Sequence, residues 1–226
     1  MYNEWEHLKR EVIKYGNLLI EKGLVTGTGG NISVRLDKDL MMITPSGMPY
    51  NQLIPADLVV LDLEGNFVEG IRKPSVEINM HRVILKARPD INAIIHTHSV
   101  YATAIAVTRQ DFPPVIETMA IVFGGGVKTA AYARIGTQEL AANVAEALGN
   151  KPAVLLANHG AVGVGINLSE AFDICELLEV SAKTYIYANI LGKPVVLAEE
   201  LIKEGQEDMT TGYGQKSGTR YGLKES

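Results

Sequence analysis

The stretch Ile91-Asn92-Ala93-Ile94-Ile95-His96-Thr97-His98 joins a strand-like apolar run to two histidines. The β-branched isoleucines predict a buried strand. Successive side chains of a strand point to opposite faces, so His96 and His98 share one face and Thr97 faces away. Two neutral imidazoles side by side make half of a zinc-type site, although they can also be two polar residues at a strand end.

A third histidine stands in a similar setting. His159 follows an apolar run at residues 153–157, in the phrase Asn158-His159-Gly160. The ends of strands are where α/β proteins place their chemistry. The other two histidines, His7 and His81, lie in predicted helices and are expected to be surface or packing residues. Three protein ligands with an open fourth position are typical of catalytic zinc sites, and the predicted ligands are His96, His98 and His159.

Composition narrows the class of protein. The chain has 226 residues, of which 46% are hydrophobic and 21% charged, so we expect one domain over residues 1–226 with a sizeable core. A net charge of −5 argues against nucleic acid as the main partner. A single cysteine, Cys175, allows no disulfide framework within the chain, which fits a cytoplasmic location. Neither a signal peptide nor a membrane-spanning run of about 20 apolar residues is apparent in the sequence.

Three turns carry groups that suit an anion. The first is glycine-rich and runs from Thr26 through Thr28, Gly30 and Asn31 into a strand. Glycines let the backbone approach a ligand closely, and the Thr and Asn side chains can donate hydrogen bonds, so phosphate is the natural guest. Glycine-rich turns before strands are also common without any ligand.

The second turn is Pro45-Ser46-Gly47-Met48, and the third is the start of a helix at Pro74-Ser75. Serine is a favoured N-cap, so we expect Ser75 to cap this helix and its free N–H groups to favour an anion. Glu77 falls in the predicted first turn. It can complement the helix dipole, or it can act as a general base beside a metal.

Strand and helix patterns follow one another without strict alternation, which predicts an α/β layered domain rather than a Rossmann fold. Strands are expected near residues 41–44, 58–63 and 67–68, and helices over residues 4–22, 101–108, 137–148 and 168–191. The tail from Gln206 is polar and glycine-rich and contains Tyr213 and Tyr221. It is expected to be a partly flexible terminus or a segment that closes a site.

Six motifs in order resemble the class II sugar-phosphate aldolases, in particular those acting on L-fuculose phosphate and related deoxyketose phosphates. The resemblance runs from the first helix to about Pro194. The motifs are Thr28-Gly29-Gly30-Asn31-Ile32-Ser33, Thr44-Pro45-Ser46-Gly47, Pro74-Ser75-Val76-Glu77, His96-Thr97-His98, Tyr132-Ala133 with Gly136-Thr137, and Asn158-His159-Gly160.

The resemblance implies a three-layer α/β/α sandwich around a mainly antiparallel sheet. It implies a homotetramer with active sites between subunits, and one divalent metal per subunit held by the three histidines. Zinc is the usual metal, with manganese or cobalt as alternatives. Glu77 matches the catalytic carboxylate. The residues that match the phosphate pocket are Thr28, Gly30, Asn31, Ser46, Gly47, Ser75 and Val76.

The sequence departs from the family pattern on the aldehyde side. Val76 stands where the family has a second serine, so one hydroxyl contact is lost while the backbone N–H remains. Glu117-Thr118 replaces a His-Tyr pair whose tyrosine, from the neighbouring subunit, is the proton donor to the aldehyde-side oxygen. The family's tail tyrosine matches Tyr213 best, with Tyr221 as a rival, and Tyr213 is the expected catalytic tyrosine.

The implied function is cleavage of a ketose 1-phosphate, of the L-fuculose or 5-deoxyribulose type, to dihydroxyacetone phosphate and a small aldehyde. Two alternatives use the same three histidines, namely a pentulose-5-phosphate 4-epimerase and a methylthioribulose-1-phosphate dehydratase. A non-enzymatic alternative is a domain of the adducin type, which lacks the metal histidines.

Overall fold

The computed structural model describes residues 5–211, and an eight-stranded sheet forms its middle layer. The strands are β1 (Asn31–Arg35), β2 (Leu40–Ile43), β3 (Val59–Asp62), β4 (Phe67–Glu69), β5 (Ala93–Thr97), β6 (Thr129–Ala130), β7 (Ala153–Leu156) and β8 (Gly160–Gly165). Their order across the sheet is β4-β3-β2-β1-β5-β8-β7-β6. Every neighbouring pair is antiparallel except β6 and β7, so the expectation of a mainly antiparallel sheet is confirmed.

Helices lie on both faces of this sheet. They are α1 (Glu6–Glu21), α2 (Ile78–Ala87), α3 (Val100–Ala106), α4 (Glu117–Phe123), α5 (Gln138–Leu148), α6 (Leu168–Leu191) and α7 (Glu199–Thr211). Within the described residues, none of them has the length and apolarity needed to cross a bilayer.

Alternating side chains along the strands build two cores, one on each face. On β3, Val59 and Leu61 pack with residues of α2 and α5, while Val60 packs on the other face with residues of α1 and α6. Helices α3 and α4 pack with α6 on that second face, beside β7 and β8. The period of two along a strand therefore produces the predicted α/β/α sandwich.

The central strands set the register of the functional region. Asn31, the first residue of β1, lies opposite His96 of β5. On its other side β5 pairs with β8, where Thr97 lies opposite Ala161. The end of β5 is thus held between the start of β1 and the start of β8, close to the turn that carries His159.

Helix α2 begins later than the sequence predicts. Its first residue is Ile78, its N-cap is Glu77, and no side chain caps it, so the expectation that Ser75 is the N-cap is wrong. The reason is pairing with the end of β2: Pro74 forms a bridge with Pro45, and Ser75 N–H donates to Thr44 O at 3.1 Å. These contacts hold residues 74–75 beside the end of β2, and the Ser75 hydroxyl accepts from Glu77 N–H, at 3.3 Å, ahead of the first helical residue.

Two other helices, α5 and α6, begin close to where the sequence predicts. Thr137 precedes α5 and its side chain accepts a hydrogen bond from Leu140 N–H, as an N-cap does. Asn167 caps α6 in the same way, through Glu170 N–H. Helix α4, which contains Thr118, was not predicted. The tail was expected to begin at Gln206, but this residue lies within α7, and its side chain donates to Ile121 O at 3.1 Å.

The single cysteine is part of the second core. Cys175 lies on α6 and is 2% exposed, with its thiol 3.8 Å from the carbonyl oxygen of Ile95. Burial raises the pKa of the Cys175 thiol to about 12. A thiol with such a pKa stays protonated at neutral pH and behaves as a small apolar side chain.

Candidate active site

Four side chains converge at the ends of β5 and β7 and the start of α2. They are Glu77, His96, His98 and His159, and each offers a ligand atom that lies within 4.8 Å of the others. In the sequence these residues lie in three separate places, at residue 77, at residues 96–98 and at residue 159, so the fold brings them together. The three predicted histidine ligands and the predicted carboxylate therefore share one site.

Each histidine is placed by local backbone bonds. His96 belongs to β5, and His98 follows it, with its N–H donating to Leu24 O at 3.2 Å. His159 lies in the tight turn between β7 and β8, where Asn158 has φ 56° and His159 N–H donates to Leu156 O. Asparagine is one of the few non-glycine residues that tolerates this left-handed conformation.

The imidazole orientations favour a cation between the rings. His96 Nδ1 lies 2.9 Å from Ala161 O, an acceptor only, so Nδ1 carries the proton and Nε2 presents its lone pair. His98 Nε2 lies 2.9 Å from His96 Nε2 and 3.2 Å from His159 Nε2. Nitrogen atoms that converge in this way are suited to bind one metal ion.

The carboxylate of Glu77 completes this group. Its Oε2 accepts a hydrogen bond from Asn31 Nδ2 at 2.8 Å and lies 3.2 Å from His96 Nε2. Its Oε1 lies 3.6 Å from His159 Nε2, and among residues 5–211 no group donates a hydrogen bond to it. A buried anionic oxygen without a donor is costly unless a cation faces it, so the residues present fit a metal ion.

Electrostatics keeps Glu77, His98 and His159 in the forms that a metal requires. Burial raises the pKa of the Glu77 carboxyl, but His96, His159 and the Asn31 amide outweigh burial, so the net pKa lies well below its ordinary value. Burial lowers the pKa of His98 and of His159, each to about 4. Burial also lowers the pKa of His96, but the charge and hydrogen bond of Glu77 outweigh burial, so the pKa of this imidazole is raised. At neutral pH the site therefore contains the Glu77 carboxylate and neutral imidazoles at His98 and His159.

Small residues allow the backbone to pass close to the histidines. A side chain at Gly30, which has φ 72°, would meet His96 O at 2.5 Å. At Gly29 a Cβ would lie 2.9 Å from His98 Nδ1, so the glycine-rich turn packs directly against the imidazoles. The sequence predicted that the backbone of this turn would closely approach a ligand. In the structure the same glycines bring the turn against the histidines of the site.

The fold brings the three predicted phosphate turns to the same end of the sheet. Thr44 exchanges backbone bonds with both β1 and Ser75: its N–H donates to Ile32 O, and its carbonyl accepts from Ser75 N–H. Exposure differs within the set. Thr28, Ser46, Gly47 and Val76 are exposed, whereas Asn31 and Ser75 are buried. Ser46 N–H already donates to Lys73 O, which leaves its hydroxyl for a ligand.

The aldehyde side is only partly described. Thr118 is an exposed residue of α4. Tyr213 and Tyr221 lie outside residues 5–211, so their expected roles remain predictions.

One side chain at this site had no role in the sequence prediction. His81 is fully buried on α2, and its Nε2 lies 2.5 Å from Asn31 Oδ1. Of the two readings open for it, the structure supports packing over surface exposure. A sequence signal does exist: His81 follows Glu77 by four residues, which places both on one side of a helical turn.

Comparison with known proteins decides the family. Residues 10–186 match the Class II Aldolase and Adducin N-terminal domain. The chain belongs to the class II aldolase family. Within it, the chain is 40% identical over 209 residues to the 5-deoxy-D-ribulose 1-phosphate aldolase of Bacillus thuringiensis, covering 92% of this chain and 97% of that one.

Other class II aldolases are similar over almost the whole chain. The L-fuculose phosphate aldolase of Escherichia coli is 37% identical over 212 residues, covering 93% of this chain and 97% of its own. A solved structure of an L-fuculose 1-phosphate aldolase superposes with a TM-score of 0.88 at 45% identity, covering 93% and 98% of the two chains. The fold and the family expected from the sequence are confirmed.

Proposed function

We propose that this class II aldolase cleaves a ketose 1-phosphate to dihydroxyacetone phosphate and a small aldehyde, with 5-deoxyribulose 1-phosphate and L-fuculose 1-phosphate as the substrate types. The observation that carries the proposal is a buried carboxylate, Glu77, which lies within 4.8 Å of three converging imidazoles and has one oxygen, Oε1, that no described group donates to. The similarity to enzymes named for those two substrates supports the choice of sugar phosphate.

One divalent ion per subunit, zinc in the first place, is part of the proposal. His96, His98 and His159 would hold it, with Glu77 within reach as a further ligand. Nitrogen ligands from three histidines together with one carboxylate are typical of zinc, while manganese or cobalt remain chemically suitable. When bound, the ion supplies a Lewis acid that stabilises negative charge on substrate oxygens.

Glu77 is proposed to move the proton at C3. Breaking the C3–C4 bond leaves the electron pair on the dihydroxyacetone phosphate half, and a proton must then reach C3. Glu77 has one oxygen held by Asn31 and one oxygen free, so the carboxylate can carry a proton while it stays oriented. Its low pKa in the resting site means that its basicity must rise as substrate changes its contacts.

The phosphate group is proposed to bind where the three turns meet. The residues are Thr28, Gly30, Asn31, Ser46, Gly47, Ser75 and Val76, and the support is their placement at one end of the sheet. Exposed hydroxyls and backbone N–H groups would donate hydrogen bonds to the phosphate oxygens without a large desolvation penalty. Asn31 uses one amide hydrogen on Glu77, which leaves the second for a ligand.

The aldehyde side is proposed to be completed by a second subunit of a homotetramer. With Thr118 in place of a phenol, Tyr213 from the tail is the proposed group for proton transfer at the aldehyde-side oxygen. A phenol with a pKa of about 10 is protonated at neutral pH and can donate a hydrogen bond. Exposed apolar residues at the end of α6 and just after it, among them Leu191 (90%) and Val195 (81%), fit coverage by another subunit.

The test is release of dihydroxyacetone phosphate from each phosphorylated ketose, measured with a coupled enzyme. Glu77→Gln is expected to keep the fold and the metal but to lose turnover by about 10²- to 10⁴-fold, because an amide cannot take a proton. Glu139→Gln, at an exposed position of α5, is the matched control and is expected to retain full activity. A near-normal rate for Glu77→Gln would return this residue to a capping role.

The alternatives fit less well. A 4-epimerase would yield an isomeric pentulose phosphate, and a dehydratase would release water, and neither would produce dihydroxyacetone phosphate. Both of the curated relatives described above are named as aldolases. The adducin-type alternative conflicts with the presence of all three histidines in one cluster. Product analysis by mass spectrometry separates these outcomes.

A further inference from the structure

A row of buried polar side chains leads away from Glu77 and begins at Asn31, which donates to its Oε2. Asn31 Nδ2 is 2.8 Å from Glu77 Oε2, His81 Nε2 is 2.5 Å from Asn31 Oδ1, and Ser33 Oγ is 2.6 Å from His81 Nδ1. Asn31 is 4% exposed, and both His81 and Ser33 are fully buried. Burial of three polar side chains inside a packed core demands that each be hydrogen-bonded.

The carboxylate fixes the direction of every bond in this row. Oε2 of Glu77 can only accept, so the amide nitrogen of Asn31 faces it and the amide oxygen faces His81. That oxygen also only accepts, so His81 carries its proton on Nε2. The remaining ring nitrogen, Nδ1, is then an acceptor, and the hydroxyl of Ser33 donates to it.

The surroundings of His81 keep it in this neutral form. Burial lowers the pKa of His81 to about 3, more strongly than the nearby Glu77 raises it. The position of the ring follows from the fold: Asn31 and Ser33 are alternate residues of β1, so both face α2, whereas Ile32 packs in the core on the other face. The strand thus presents two polar groups to one side chain of the helix.

We propose that His81 is a positioning residue for catalysis: by donating to Asn31 Oδ1 it holds the amide in the place from which Asn31 donates to Glu77 Oε2. In this orientation Oε2 lies beside His96 and Oε1 beside His159. The inference rests on the proposed catalytic role of Glu77. Without a donor at the place of His81 Nε2, the buried amide oxygen of Asn31 loses its partner, and the amide is no longer held in place. If the amide moves away to find another donor, Glu77 Oε2 loses its own hydrogen bond and the carboxylate can turn.

Two substitutions of His81 separate positioning from packing. A glutamine places its amide nitrogen the same number of bonds from Cβ as His81 Nε2, so His81→Gln can still donate to Asn31. An asparagine places its amide group at the level of Nδ1, so His81→Asn can contact Ser33 but cannot reach Asn31. Both variants replace the ring by a primary amide, and they differ by one methylene group.

The measurement is kcat and KM for the phosphorylated ketose with metal-loaded protein, together with metal content. His81→Asn is expected to lose about 10- to 100-fold in kcat, as is typical when a partner of a site residue is removed, with KM changed less than about threefold. His81→Gln should recover most of this loss. His7→Asn, at an exposed histidine of α1, is the matched control and should equal the wild type.

A crystal structure of each variant gives a readout that does not depend on activity. In His81→Asn the bond between Asn31 and Glu77 is expected to be lost and the carboxylate to turn, whereas His81→Gln should keep the 2.8 Å contact seen here. If His81→Asn fails to fold, Asn31→Asp replaces it, because a carboxylate at that position cannot donate to Glu77 either.

The outcomes distinguish this inference from the proposed function. Wild-type kcat in His81→Asn, or an unmoved Glu77 in its structure, overturns the positioning role even while Glu77→Gln is inactive and the aldolase assignment stands. An equal loss in His81→Gln and His81→Asn also overturns it, because packing alone would then explain the effect. If no ketose phosphate is cleaved by the wild type, the function is wrong, and the two structures still decide whether His81 orients Glu77.

Discussion

Replacing Gly160 by alanine should weaken both the fold and the metal site, because this residue has no room for a side chain. An added Cβ would overlap the carbonyl oxygen of Thr97 and lie 3.0 Å from His98 Cδ2 and 3.2 Å from His96 Cε1. A carbon normally stays about 3.3 Å or more from a carbonyl oxygen, so β8 must move from β5 by roughly 1 Å. Backbone hydrogen bonds weaken markedly at such displacements.

The size of the effect follows from the position of Gly160 in the sheet. Crowding of this kind in a packed interior costs about 1–3 kcal/mol of unfolding free energy. The shift also moves His159, the preceding residue, and Ala161, whose carbonyl oxygen lies 2.9 Å from His96 Nδ1. Because the contact between Ala161 O and His96 Nδ1 orients a metal ligand, we expect zinc affinity to fall by about 10- to 100-fold.

Urea unfolding of the metal-free protein and competition for zinc with a chromophoric chelator measure the two effects separately. Gly192→Ala is the matched control, since a Cβ there would meet no atom of residues 5–211 within 4 Å apart from its own chain neighbours. The control should remain within about 0.5 kcal/mol of the wild type, as surface substitutions usually do. A Gly160→Ala protein with the stability and the zinc affinity of the control would refute the reasoning from β-strand spacing.

Three further outcomes are expected. Removal of metal by a chelator should abolish cleavage, and one equivalent of zinc per chain should restore it; full turnover by protein shown to be metal-free would rule out the metal role. Ser46→Ala should raise KM for the phosphorylated ketose in a steady-state assay. Equal cleavage of the sugar without its phosphate would show that the phosphate pocket is misassigned. Arg72→Ala should destabilise the fold near neutral pH, because Arg72 lies 2.7 Å from the buried carboxylate of Asp57. Burial raises the pKa of Asp57, but the hydrogen bonds from Ile54 N–H and Arg72 lower it by more than burial raises it. The net pKa is therefore below its ordinary value. The stabilisation by these hydrogen bonds is present above the unfolded pKa of about 3.9 and is lost as pH falls below it. Urea midpoints for the variant and the wild type should differ at pH 7 and converge on acidification, and a difference that is independent of pH would contradict this account.

The sequence predicted those features that depend on local patterns. The strand that leads into His96 and the helix over residues 168–191 follow from the spacing of apolar residues, and both are present. The layered sandwich with a mainly antiparallel sheet was predicted through the family resemblance. The proximity of His96 and His98 followed from strand geometry, whereas their proximity to His159 depended on the order of strands, which periodicity does not encode.

Long-range pairing explains what the sequence did not predict. Ser75 has the chemistry of an N-cap, but the bridge between Pro74 and Pro45 and the bond from Ser75 N–H to Thr44 O hold it beside β2, and these contacts span about 30 residues of chain. His81 is an ordinary residue of an amphipathic helix until β1 places Asn31 and Ser33 against it. Both cases show tertiary contacts overriding a local preference.

The single buried thiol makes this protein suited to kinetic measurement without any mutation. Cys175 lies under the seam between β5 and β8, against Gly163 and the carbonyl oxygen of Ile95. A thiol reagent can reach it only after α6 separates from the sheet, so the rate of labelling reports how often that layer opens. Comparing the rate with and without zinc would measure how strongly the bound ion holds β5, which carries His96, to the turn before β8, which carries His159.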